Sequence, residues 1–414
     1  MKVTAVIAEY NPLHNGHVYQ LLEIRRQTGA DFIVVLLSGD FVQRGTPAIL
    51  DKYARTQAAL QSGADLVLEL PVLFATANGD DFAHGAVRIL DGLCCIDALC
   101  FGCEDADLPV LRDIATVLAD EPADYVNARS DALSHGVSFP AARATGVAAY
   151  FANTGADPAP YETILRQPNN ILALSYLQAL RKQNSAIKPV AISRIGAGYH
   201  TTDISGTYPS ASGLRALLYE HPQADISHGI PEAMQDLLRP AQKNNAFVTP
   251  EDVSDVLRYR LLSADAVMLS RYTDGNEDFA RRICHLRHEA TSFDAFCSAL
   301  KNKSLTHAQI RRALLHLILD LPCNLRNAAF ADETAYYGRI LGFRKEASAL
   351  LARLHKTSQI PLVTKLATDE KDLSLLAKTL LEKDVFAAEF YAGMQGAKLS
   401  QPLPNEYRRG VLTI

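Results

Sequence analysis

The sequence predicts an α/β protein: an N-terminal Rossmann-like parallel sheet followed by a mostly α-helical C-terminal domain. Three observations predict it. Short, continuous apolar runs alternate with helical patterns through the first two hundred residues. The alternation stops near residue 231, and mostly helical periodicity remains. A chain of 414 residues also exceeds what one core usually holds, so two or three domains are expected.

Taken in order, VTAVIA (3–8), FIVVLL (32–37), DLVLEL (65–70) and IDALCF (96–101) read as strands buried on both faces. Helical patterns at about 17–28, 52–62 and 80–92 separate them. Residues 107–184 read as a helical insertion, clearest in SFPAARATGVAAYF and NNILALSYLQALRK. A further strand, KPVAISRIG (188–196), leads through AGYHTTDISGTYPS into the helix ASGLRALLYEH. TPEDVSDVLRYRLLS (249–263), THAQIRRALLHLILDL (306–321) and RKEASALLARLHKT (344–357) then read as helices. The expected division is 1–228 and 229–414.

Composition narrows the classes. With 48% hydrophobic and 21% charged residues, the chain is ordinary for a globular protein, and no stretch approaches the ~18 uninterrupted apolar residues of a membrane span. MKVTAVIAEYN runs straight into the first strand without a small-residue cleavage site, so a cytoplasmic location is expected. Seven scattered cysteines fit reduced thiols. The Cys100–Cys103 pair has CxxC spacing, but CIDALCFGCE reads as a buried strand in which cysteine is a small hydrophobe, and no metal site is expected. Charge is uneven. Residues 1–239 carry 17 Lys and Arg against 26 Asp and Glu, whereas residues 240–414 carry 24 against 20. The basic second half is compatible with a polyanion partner.

Parallel sheets bind ligands at the carboxyl ends of their strands, which directs attention to three segments. EYNPLHNGH follows the first strand and opens a helix near Gly16, where free N–H groups and the dipole attract anions. His14 and His17 there could stabilise charge developing on phosphate oxygens. SGDFVQRGTPAILDKYARTQAAL follows the second strand and offers Asp40, Arg44, Lys52 and Arg55. Lys52 and Arg55 share a helix face and could clamp a triphosphate or a carboxylate. YPSASGLRALL supplies Ser210 or Ser212 as a helix N-cap, with Arg215 one turn in. His14, His17, Asp40, Lys52 and Arg55 are the catalytic candidates.

Together these features resemble the HIGH-motif nucleotidyltransferase superfamily, in which HxGH follows the first strand and an ISSTxIR-like helix start completes the site. His14-Asn15-Gly16-His17 fits the first motif, and Ser210-Ala211-Ser212-Gly213-Leu214-Arg215 is a degenerate form of the second. EYNPLHNGH, SGDFVQRG, ALQSGADLVLELP, FGCE, QPNNILALSY and SRIGAGYH run in order through residues 7–215 and resemble the bacterial tRNA(Met) cytidine acetate ligases. The helical remainder is similar only in kind. The resemblance implies an enzyme that binds ATP and acetate, forms acetyl-adenylate with release of pyrophosphate, and acetylates the exocyclic amine of the wobble cytidine of elongator tRNA(Met). It implies ATP contacts from Ile7, Ala8, Glu9, Tyr10, Asn11, Pro12, Leu13, His14, Asn15, Gly16 and His17. Further ATP contacts are implied from Gly102, from one of Asn169 and Asn170 (Asn169 preferred), and from Arg194, with Ser212 and Arg215 from the second motif.

Magnesium is expected with the nucleotide, held partly by its phosphates. Arg311, Arg312, Arg344, Lys345 and Arg353 are candidate tRNA contacts, and neither a membrane nor a stable protein partner is implied. Two alternatives remain at this point: a cofactor adenylyltransferase acting on a phosphorylated small molecule, and a non-catalytic tRNA-binding protein on the same fold. The presence of both His14 and His17 argues against the second.

Overall fold

A computed structural model describes residues 1–195 and 206–414. The second half of SRIGAGYH and most of AGYHTTDISGTYPS lie outside the described residues.

The strands are β1 (Val3–Ala8), β2 (Phe32–Ser38), β3 (Phe41–Val42), β4 (Thr46–Pro47), β5 (Leu66–Leu70), β6 (Ala98–Cys103), β7 (Lys188–Ser193), β8 (Gly338–Phe343), β9 (Leu362–Val363) and β10 (Leu412–Thr413). The main sheet runs β10-β8-β5-β2-β1-β6-β7, with β9 beside β8, while β3 and β4 form a separate antiparallel ribbon. From β5 to β7 all neighbours are parallel. Strand order reverses at β1: β2 lies on one side of it and β6 on the other. The loop after β1 therefore opens at a switch point of the sheet, where a crevice forms beyond the strand ends.

Side-chain alternation along the strands explains why they are buried. Val3, Ala5, Val34, Leu36, Leu66 and Leu68 face one core, while Val6, Ile33, Val35, Leu37 and Val67 face the other. Helices α1 (Asn15–Thr28) and α2 (Lys52–Gln61) cover the second face. The short α3 (Val72–Ala75), then α4 (Gly79–Gly92), supply the first. The expected helical insertion comprises α5 (Leu108–Asp120), α6 (Ala123–Ser134), α7 (Phe139–Asn153), α8 (Ala159–Leu165) and α9 (Pro168–Lys182). After β7 come α10 (Ala211–Glu220) and α11 (Glu232–Lys243). Helices α12 (Ser254–Ser263), α13 (Ala266–Ser270), α14 (Glu277–Leu286), α15 (Phe293–Leu300), α16 (His307–Leu319) and α17 (Cys323–Ala331) continue the run. It ends with α18 (Ser348–Thr357), α19 (Leu366–Asp369) and α20 (Leu375–Leu399).

The sequence reading missed β8 to β10. The six residues GRILGF lie deep in the helical part, yet they pair antiparallel with β5, Phe343 opposite Leu66 and Arg339 opposite Glu69. The sheet thus continues across the expected 228/229 division.

A buried ion cluster fastens this junction. Lys52 Nζ lies 2.8 Å from Glu69 Oε1 and 2.7 Å from Glu406 Oε1, and Arg339 pairs with both carboxylates. Tyr53 donates its hydroxyl to Glu406 at 2.8 Å. None of these four charged residues is more than 5% exposed. Burial alone would push the Glu406 carboxyl up, but Lys52 and Arg339 override it and hold it at about 2. A depressed carboxyl stabilises the fold above its unfolded value near 4.5, and that contribution is lost as pH falls toward 2. The urea midpoint of the wild type should accordingly fall more steeply between pH 5 and pH 3 than that of Glu406→Gln. At pH 7 the variant should be less stable by about 3–5 kcal/mol, because two buried cations lose a partner.

Candidate active site

Helix α1 begins with a reciprocal cap built from the two histidines. His14 is the N-cap residue, and its Nδ1 accepts the Gly16 N–H at 3.0 Å. His17 Nδ1 in turn accepts the His14 N–H at 3.2 Å. This is the geometry of a capping box, with imidazoles in the places usually held by Ser or Thr and Glu. The rings stack with centroids 3.8 Å apart, and the edge of the His17 pair meets Tyr10 at 4.9 Å. Burial, with Arg194 and Arg215 beside it, holds His14 down at about 3. Burial, His14 and Arg194 hold His17 well below the usual imidazole range. Both rings are therefore neutral at physiological pH. Because each Nδ1 lone pair is occupied by a backbone N–H, the ring proton sits on Nε2, so each histidine is a donor there.

The loop between β1 and α1 is tied down at several points. Tyr10 has φ +47°, a left-handed conformation uncommon for a bulky residue. Asn11 Oδ1 accepts the Ile49 N–H at 2.8 Å, and Arg215 donates to the Asn11 carbonyl. Asn15 donates to the carbonyls of Thr207 and His228 at 3.1 and 2.9 Å, which joins the motif to the approach of α10. Ser210 caps α10 by accepting the Gly213 N–H at 3.0 Å.

These segments enclose a cavity of about 240 Å³ beyond the carboxyl ends of β1, β6 and β7. Among the ATP candidates, Ile7, Ala8, Glu9, Tyr10, Asn11, His14, Gly16, His17, Gly102, Asn169, Arg194, Ser212 and Arg215 line it. Arg44 lines it too. A methyl added at Gly102 would meet Arg194 Cγ at 3.4 Å, so a larger side chain there would enter the cavity.

Several expected site residues lie elsewhere. Lys52 and Arg55 are fully buried beneath the loops. Lys52 belongs to the ion cluster, and Arg55 donates to the carbonyls of Leu50, Glu9 and Ser38 at 2.9, 2.7 and 3.0 Å, and to Gly39. Asp40 is buried with them, accepting the Lys52 N–H at 2.7 Å, and burial pushes its carboxyl up to about 7. All three shape the loops from behind and do not line the cavity. Asn170 is also fully buried: its Oδ1 accepts the N–H groups of Glu104 and Asp105, and its amide donates to Gln167. Asn169 is the member of the pair at the cavity, positioned by Glu104 at 2.6 Å. Pro12 and Leu13 pack inward, and Asn15 is a strut between loops.

The basic candidates divide between opposite edges of the sheet. Arg344 and Lys345 follow the end of β8, which lies opposite the start of β5, at the edge away from the cavity. Arg344 pairs there with Glu346, and Arg353 donates to the Met1 carbonyl at 2.8 Å. Arg311 and Arg312 lie on the cavity side. Their backbone packs so closely on Gly45, at φ +74°, that a Cβ there would come within 2.5 Å of the Arg312 nitrogen. Arg311 pairs with Asp294 at 2.8 Å, and burial lowers Arg312 to about 10.

Sequence reasoning missed an aromatic wall. Phe82, Phe101, Leu172 and Tyr176 line one end of the cavity, with the Tyr176 ring 6.4 Å from Phe82 and 5.8 Å from Phe101. The apolar patterns of α4, β6 and α9 account for these residues as packing, so no sequence signal separates them. Cys100 and Cys103 are free thiols in β6, and burial pushes Cys103 up to about 12. Among the described residues no group of three or more His, Cys, Asp or Glu is placed to hold a metal ion. No described helix is long and apolar enough to cross a membrane.

A parallel sheet with HxGH donors at its switch point defines a nucleotidyl transferase of the HIGH type, and the family model described as HIGH Nucleotidyl Transferase matches residues 1–403. The chain is 35% identical over 393 residues to a tRNA(Met) cytidine acetate ligase of Thermoanaerobacter sp., covering 94% of this chain and 95% of the relative. It is 34% identical over 396 residues to that of Acetivibrio thermocellus, covering 94% of each. The chain belongs to the tRNA(Met) cytidine acetate ligase family. Two crystal structures of Thermotoga maritima TmcAL are similar over the whole chain. One is the apo form, at TM-score 0.94 and 30% identity, covering 100% of both chains. The other, bound with alpha-thio ATP, has TM-score 0.91 and 28% identity, covering 100% of this chain and 99% of that one.

The histidine cap makes its own prediction. Imidazole nitrogen shifts measured by NMR should report the Nε2–H form for His14 and His17 throughout pH 5–8. An inflection near the ordinary imidazole value of about 6.5 would contradict the cap geometry.

Proposed function

We propose that the protein activates acetate with ATP as acetyl-adenylate, releasing pyrophosphate, and transfers the acetyl group to the exocyclic amine of the wobble cytidine of elongator tRNA(Met). The observation that carries this reading is the pair of neutral, stacked histidines whose Nε2–H groups lie at a helix N-terminus in the switch-point cavity. Acetate is a poor electrophile, and adenylation converts one of its oxygens into a good leaving group. The first step is an in-line displacement at the α-phosphate, which needs alignment and charge stabilisation rather than a nucleophilic side chain. In this reading His14 and His17 donate to the phosphate oxygens on which charge develops, with the first N–H groups of α1, Arg194 and Arg215 around them.

Magnesium would accompany the nucleotide. The described cavity wall lacks the paired carboxylates that would cage the ion, so its ligands in this reading are mainly phosphate oxygens and water. The backbone of Ile7 to Asn11, with Gly16, Gly102, Asn169 and Ser212, completes the proposed ATP contacts. The aromatic wall is suited to a planar base, because an anticodon nucleotide can be presented outside a stack. Arg44, Arg215, Arg311 and Arg312 belong to one electrostatic neighbourhood on the cavity side, which supports a phosphate path toward the site. Residues 229–414 would supply much of the tRNA surface.

The direct test is nucleoside mass spectrometry of methionine tRNA incubated with protein, ATP and acetate, with N4-acetylcytidine as the expected product. His17→Ala should lower acetate-dependent ATP–pyrophosphate exchange by about 10²-fold or more while tRNA affinity changes little. Equal loss of both would remove His17 from phosphate chemistry. In filter binding, Arg311→Ala with Arg312→Ala should weaken tRNA binding and reduce its salt slope by about one to two. Arg344→Ala with Lys345→Ala, at the far edge, should leave both unchanged.

A further inference from the structure

We propose that Glu9 is the general base of acetyl transfer, taking the proton from the cytidine amine as it attacks the adenylate. The inference rests on the acetate-ligase reading and names the residue that completes its second step. In that step the amine nitrogen bonds to the acetyl carbon, and the bond from that carbon to the phosphate oxygen breaks. AMP leaves with the electron pair, and one N–H proton must be removed. The lone pair of an exocyclic cytosine amine is delocalised into the ring, so the nitrogen becomes a competent nucleophile only as that proton departs. The carboxylate becomes a carboxylic acid and returns its proton to water or to the departing AMP.

Among the described residues, the cavity offers few groups that can accept a proton. His14 and His17 are the obvious candidates, and their geometry disqualifies them. Each Nδ1 is occupied by a backbone N–H of the cap, and each Nε2 already carries the ring proton. Arg44, Arg194 and Arg215 are donors only. Burial raises the Tyr10 and Tyr176 hydroxyls above the usual phenol range, leaving them protonated.

Glu9 is the one carboxylate among the described residues lining the cavity. It is the first residue past β1, so it shares a loop with the HxGH donors. Its Oε1 accepts the Gln43 N–H at 3.0 Å, which fixes the carboxyl group, and its Oε2 has no hydrogen-bond partner among the described residues. Its own carbonyl is held by buried Arg55 at 2.7 Å, so the backbone beneath it is anchored. Glu9 lines the same cavity as Tyr176 of the aromatic wall and the two histidine donors, so one cavity holds the carboxylate, the wall and the phosphate donors. The same placement discriminates between bases. A carboxylate accepts from the amine at C4 of cytidine and repels the carbonyl oxygen that uridine carries there.

Glu9→Gln keeps an acceptor oxygen for the Gln43 N–H and removes the base. Three rates separate the possibilities: acetate-dependent pyrophosphate exchange, acetohydroxamate formation with hydroxylamine, and single-turnover acetylation of tRNA. Transfer to tRNA should fall by about 10²–10³-fold relative to exchange. Hydroxamate formation should track exchange, because hydroxylamine is nucleophilic without a base. A parallel fall of exchange and transfer would overturn the proposal and assign Glu9 to the nucleotide or its cation. An unchanged ratio of transfer to exchange would overturn it as well. Absence of acetate-dependent exchange in the wild type would instead overturn the acetate-ligase reading on which the proposal rests.

Discussion

The guanidinium of Arg55 holds the carboxyl edge of the sheet in shape. It is fully buried on α2, and its donors reach the carbonyls of Leu50, Glu9, Ser38 and Gly39. The carbonyls of Glu9, Ser38 and Gly39 lie where β1 and β2 give way to loops, and buried carbonyls left unpaired there would be costly. One planar group with five N–H donors meets that need from a single point. The positions of Glu9, Tyr10 and the histidine cap all follow from this anchorage. Lysine in its place would offer one mobile ammonium against carbonyls that lie in different directions.

Much of the architecture is legible in the sequence because its signals are local. Continuous apolar runs mark β1, β2, β5 and β6, and HNGH marks the helix start where phosphate chemistry belongs. The long helical remainder is equally plain from its periodicity. Strand β8 is not legible, because six residues of GRILGF make sense as a strand only beside β5, more than 260 residues earlier. The errors at Lys52 and Arg55 have a similar origin. Their spacing correctly places them on one helix face, but the sequence cannot say whether that face meets ligand or core. Charged residues are rarely buried, which favours the wrong choice unless the partners Glu69 and Glu406 are known to converge. Arg344 and Lys345 show the same limitation at the scale of the sheet: a basic pair reads alike at either edge. The adjacent asparagines are different again, since only the hydrogen bonds of Glu104 separate Asn169 at the cavity from Asn170 in the interior.

The electrostatics of the cavity are asymmetric. Arginines and neutral histidine donors suit an anionic nucleotide, and they leave proton removal to a carboxylate at the edge of the cluster. The histidines can hold this role only because their rings cap the helix. A free imidazole in a nucleotide pocket would titrate and change from base to acid within the physiological range. Here the backbone fixes both tautomer and charge state, so structural and chemical duties fall on the same two side chains.

The buried contact between Lys52 and Glu406 spans most of the polypeptide. A ribosome would expose Glu69 and Lys52 hundreds of residues before Arg339 and Glu406 arrive to balance them. Until then the β5 edge lacks its neighbour, and the support beneath the reactive loops is incomplete. The ion cluster that ties α2 and β5 to β8 is thus completed only by the final stretch of synthesis.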